Sequence, residues 1–98
     1  MDTYVILRRN GWRTAEELEA AGQKSARIGD EEMPDDIRWI SSYALAEEDG
    51  TVGTVCIYQA SSPEAIREHA ERVGMPATEI IPVADTVIVR PDPEAAAA

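Results

Sequence analysis

An α+β fold is predicted by three features of this chain. β-type and helix-type runs follow one another as strand, helix, strand, strand, helix, strand. Both helical runs carry capping residues at their ends. The two middle strands are joined by a short turn, which makes them antiparallel neighbours. This order is the split pattern of a ferredoxin-like βαββαβ fold, an antiparallel sheet with two helices on one face. Aromatic and aliphatic residues occupy both faces of the middle strands, so the other face should also be buried. A second copy of the chain, related by a two-fold axis, would cover it.

The first strand is "TYVILRR", residues 3–9, and "NGW" reads as the turn that follows. The first helix starts at Thr14, where Thr14 and Glu17 form a capping box, each satisfying the other's backbone N–H. Leu18, Ala21, Gly22, Ser25 and Gly29 share one face of it, and these mostly small residues let the helix lie close to the sheet. "DEEMPDD" is an acidic loop. In the second strand Ile37, Trp39, Ser41, Tyr43 and Leu45 point one way, and Arg38, Ile40, Ser42, Ala44 and Ala46 the other. After the turn at "EEDG", Thr54, Cys56 and Tyr58 share a face of the third strand. Ser62 caps the second helix, Pro63 suits its first position and Gly74 ends it. "TEIIPVADTVIVRPD" supplies one or two further short strands, broken at Pro82. Residues 1–90 form one domain, and 91–98 are expected to be a disordered tail.

Composition narrows the function. The 98 residues are 44% hydrophobic and 29% charged, ordinary for one globular domain. No apolar run approaches a membrane span. The start "MDTYVILRRN" lacks the layout of a signal peptide, and a lone Cys56 cannot form an internal disulfide, so a cytoplasmic location is expected. A net charge of −10 argues against nucleic acid as a partner.

His69 is the one histidine. Stepping 100° per residue along the second helix puts Ala65, Ile66, Ala70 and Val73 on one face, with His69 in the middle of that stripe. Its imidazole should face the body of the protein, where its polar tip needs a partner such as Tyr58 or Tyr43. Imidazole and thiolate are suitable ligands for nickel, copper or zinc, so His69, Cys56 and Tyr58 form the candidate metal set. No C-x-x-C, H-x-x-x-H or H-E-x-x-H occurs, and one chain offers too few N and S donors for a tetrahedral site.

"IRWISSYAL", "TVCIYQASSPEAIREHAERVGMPATEI" and "GQKS" resemble the small nickel-binding proteins long known as a domain of unknown function, from about Tyr4 to Val83. The resemblance implies a ferredoxin-like homodimer that binds nickel or another divalent transition metal, for buffering or response. Trp39, Tyr43, Cys56, Tyr58 and His69 match the family's recurrent residues. The family often has His-Ser-Tyr where this chain has Ser41-Ser42-Tyr43, so one imidazole is replaced by a hydroxyl.

The competing expectation is a small dimeric α/β-barrel enzyme, an isomerase or cofactor-free oxygenase. It would use His69 as acid or base in a pocket between sheet and helices, with Trp39, Tyr43, Cys56 and Tyr58 on the walls. In a third expectation the chain is an accessory subunit without ligand, and His69 only joins strand to helix.

Overall fold

The computed structural model describes residues 1–93. Of the tail expected over 91–98, residues 94–98 lie outside the described residues. The elements are β1 (Asp2–Trp12), α1 (Ala15–Glu31), β2 (Ile37–Ala46), β3 (Val52–Ala60), α2 (Pro63–Val73) and β4 (Glu79–Pro82). The sheet order is β2-β3-β1-β4 with every neighbouring pair antiparallel. This is the expected ferredoxin-like α+β arrangement. Among the described residues no helix is long and apolar enough to cross a membrane.

Caps set the helix bounds. The Thr14 hydroxyl accepts from the Glu17 N–H at 3.2 Å. The expected return bond differs: the Glu17 carboxylate takes the backbone N–H of Arg13 at 3.0 Å, one residue earlier, and also the Arg13 guanidinium. In α2 the Ser62 hydroxyl accepts from Ala65 at 3.1 Å, and Gly74 closes the helix at φ 85°, a left-handed conformation that glycine adopts without a Cβ clash.

Two bulges correct the strand reading. "NGW" is no turn; β1 runs through it to Trp12, with a register shift after Arg8 and Asn10 at φ 52°. Asparagine tolerates that conformation better than most residues. The shift is held from the "EEDG" turn: Glu47 accepts the Asn10 N–H at 2.7 Å and pairs with Arg9 at 2.8 Å, while Asp49 and Thr51 take the Asn10 amide. The second bulge lies in β2. Trp39 faces Tyr58, but the next partners are Ser41 with Ile57 and Ser42 with Cys56. One extra residue near Ile40 inverts the side-chain alternation. Ile37 and Trp39 therefore share the helix-covered face with Ser42, Ala44 and Ala46, not with Tyr43 and Leu45 as regular alternation requires.

The core lies between the helices and that face. Ile6 of β1, Tyr58 of β3, Ile28 of α1 and Ile66 of α2 are fully or almost fully buried, joined by Met33 from the acidic loop and Ile37. Each large apolar side chain removed from water contributes about 1.5–3 kcal/mol. The opposite face carries Val5, Leu7, Val55 and Ile57 half-buried, with Tyr43 and Ile81 exposed.

Two glycines give opposite expected outcomes. A Cβ on Gly53 would meet the Arg8 carbonyl at 2.7 Å and the Glu47 carboxylate at 2.8 Å, so Gly53→Ala should destabilise by about 1–3 kcal/mol. A Cβ on Gly22, in mid-helix, would only touch Trp39 at 3.7 Å, so Gly22→Ala should stabilise by about 0.5–1 kcal/mol. Equilibrium urea unfolding of both variants checks the pair.

Candidate functional site

The residues singled out from the sequence converge around Tyr58, with one exception. Tyr58 is buried at the centre of β3, and its hydroxyl bonds the Ser25 hydroxyl of α1 at 3.1 Å. Trp39 stacks near it, ring centroids 6.1 Å apart and planes 15° apart. The His69 ring lies 5.7 Å from it, tilted by 55°. Tyr43 is the exception. The β2 bulge turns it to the far face of the sheet, where its hydroxyl donates to Asp92 at 2.7 Å. It has no place in a pocket with His69.

His69 is 1% exposed, as the apolar stripe of α2 requires. Its partner is neither tyrosine. Nε2 lies 3.0 Å from the Ser25 backbone carbonyl, which can only accept, so Nε2 carries the proton and donates. Nδ1 then holds the free lone pair, buried and without a hydrogen-bond partner among the described residues. Burial pushes the imidazole pKa below its ordinary value of about 6.5. The bond to Ser25 opposes this, and the Arg8 and Arg72 charges add to it. The ring is therefore neutral at neutral pH.

Cys56 and Tyr58 are less available. The Cys56 thiol donates to the Thr54 hydroxyl at 3.3 Å. Burial raises the Tyr58 pKa, partly offset by Ser25 and Arg8, which keeps the phenol protonated. An imidazole whose other nitrogen donates to a carbonyl is the usual posture of a metal-ligating histidine, so Nδ1 fits that role. The rest of a cage is not assembled in one chain. Among the described residues no three His, Cys, Asp or Glu side chains come together to hold a metal ion. The acidic "EEDG" loop is occupied with Arg9, Asn10 and Thr51.

Beside Tyr58, between α1 and the sheet, lies a cavity of about 530 Å³. Its walls include Trp12, Leu18, Trp39, Cys56, Tyr58 and Met75, together with Arg8. His69 is not among its lining residues. Sequence reading missed Arg8, which is 1% exposed. The signal was present: Tyr4, Ile6 and Arg8 alternate along β1, so a charge stands on the core face of a strand. Its Nη1 donates to the Pro76 carbonyl at 2.7 Å, and its guanidinium carbon lies 5.8 Å from the Tyr58 ring centroid. Nη2, like His69 Nδ1, has no partner among the described residues.

The crystal structure of SCO4226 from Streptomyces coelicolor A3(2) matches with a TM-score of 0.68 at 20% sequence identity, covering 87% of this chain and 99% of that one. At that identity the likeness carries the fold alone. Among curated proteins there is no match. The family model described as nickel responsive protein, SCO4226-like, matches residues 4–83, the span from β1 to just past β4. The chain belongs to the SCO4226-like family of nickel responsive proteins.

Proposed function

We propose that the chain is a homodimeric protein that binds a divalent transition metal, nickel first, for buffering or response, with His69 as its anchoring ligand. The observation that carries this reading is the His69 imidazole itself. It is neutral, fixed in one tautomer by Ser25, and left with a buried, unpartnered lone pair on Nδ1. Family membership supports nickel as the metal. Cys56 and Tyr58 are the other candidate donors, each needing to release its present hydrogen bond. Arg8 stands close to Tyr58 and works against a cation inside the cavity. His69 is therefore the stronger ligand, and the remaining donors come from water or from outside the chain. The enzyme reading loses its acid–base group, because His69 does not line the cavity and Tyr43 lies across the sheet.

The dimer rests on the sheet face that carries no helix. Val5, Leu7, Val55, Ile57 and Ile81 present a continuous aliphatic surface. A second copy related by a two-fold axis covers it with the same residues.

Three outcomes are expected. Calorimetric titration with nickel gives saturable binding in the wild type, and His69→Gln, which keeps a donor for Ser25 but no imidazole, weakens it at least about tenfold. Lack of binding by the folded wild type refutes the metal reading. Ile57→Lys yields monomers by sedimentation velocity where the wild type is a dimer. The third outcome concerns acid. A histidine whose folded pKa is depressed binds fewer protons folded than unfolded, so its stability contribution is complete above about pH 6.5 and is lost as the pH falls through the folded value. The melting temperature should fall from pH 7 to pH 5, and less so in His69→Gln. Glu17, Glu47 and Asp49, held below their ordinary values by hydrogen bonds, act only at lower pH.

A further inference from the structure

A guanidinium buried beside an apolar cavity without a carboxylate partner is costly. Taking a cation out of water is unfavourable unless an anion or a full set of acceptors replaces the hydration. Arg8 has neither. It forms none of the four ion pairs among the described residues, and Pro76 satisfies only Nη1. The other wall residues explain no charge there. Trp12, Trp39 and Met75 are apolar, Tyr58 faces Arg8 with its ring, and Glu19, the one acidic residue of the lining, is exposed on α1.

Thr54 adds a second polar group at the same place. It pairs with Arg8 across β1 and β3 and lines the same cavity. Its oxygen accepts the Cys56 thiol proton, which leaves its own hydroxyl proton to donate. One wall therefore offers a cationic fork and a hydroxyl donor, and the remaining walls are mostly aromatic and aliphatic, with the neutral polar side chains Gln23, Ser25 and Ser42 among them. A site of about 530 Å³ with mostly apolar walls and a few convergent polar groups is the usual form of a small-molecule pocket.

We propose that this cavity is a binding site for a small organic monocarboxylate with an aromatic or aliphatic body, its carboxylate held by Arg8 and Thr54 and its body lying between Trp12, Trp39 and Met75. Guanidinium and carboxylate match in shape and charge, and such bonds are about twice as strong as neutral ones. The site is distinct from the metal reading: it uses neither His69 nor a metal. An anion here neutralises the buried charge that, among the described residues, has no ionic partner.

The test is calorimetric titration of the metal-free full chain with 4-phenylbutyrate and, in parallel, 4-phenylbutyramide, which has the same body without the charge. Saturable binding of the acid, with the amide at least about tenfold weaker, is expected. Thr54→Val, which keeps the side-chain shape, should weaken the acid severalfold. Arg8→Met should abolish the discrimination between acid and amide. Equal binding of acid and amide, no binding of either, or retained discrimination in a folded Arg8→Met variant overturns the proposal. If Arg8→Met does not fold, the acid–amide comparison in the wild type and the Thr54→Val result decide it.

Discussion

The distance at which α1 stands from the sheet is set by one buried polar contact, the Ser25 hydroxyl against the Tyr58 phenol. Ser25 also offers its backbone carbonyl to His69 of α2. One residue of α1 is thus bonded to the central strand through its side chain and to the other helix through its main chain. A phenol at the middle of β3 needs a partner once it leaves water, and a serine supplies one only if the helix stays within hydrogen-bond reach. Small residues on the facing side of α1, Ala21 and Gly22, leave space on the Trp12 side of that contact. The cavity is the result: a helix held near at Ser25 and unfilled beside it.

The same contact governs the electrostatics. Tyr58 remains a neutral phenol, His69 a neutral imidazole, and Arg8 lies close enough to Tyr58 for its charge to meet the ring. Two buried nitrogens, Nη2 of Arg8 and Nδ1 of His69, are left without partners among the described residues. They differ in what they ask for. The first is a donor on a cation and calls for an anion. The second is a lone pair and calls for a proton donor or a metal. These opposite demands both sit beside the Tyr58 ring.

Element order, both helices and the inward placement of His69 were legible in the sequence, because caps and periodicity act within a few residues. The Tyr4–Ile6–Arg8 alternation was equally legible, yet an arginine on a core face is easily taken for the end of a strand. What escaped was set by distant partners. Asn10-Gly11 has the chemistry of a turn, and only Glu47, arriving from the β2–β3 connection, makes it a bulge inside β1. The Ser25 carbonyl is a main-chain group with no sequence signature, so Tyr58 and Tyr43 looked like the partners available to His69. The β2 bulge has no Gly or Pro to announce it, and it carried Tyr43 away from the site where strict alternation places it.

That bulge also decides how the protein tolerates changes in length. With it, Ser42 and Ala44, both small, line the cavity, while Tyr43 and Leu45 look outward. Removing Ile40 restores the regular pleat with Ser41 still opposite Ile57 and Ser42 still opposite Cys56, so every side chain from position 41 to 46 keeps its side. Drawing Ile40 into the pleat at full length instead slips the rest of the strand by one residue. The cavity wall would then receive a tyrosine and a leucine, and the outer face would receive serine and alanine. Loss of one residue at the bulge is thus absorbed, whereas loss of the bulge at constant length fills the pocket and strips part of the apolar surface at once.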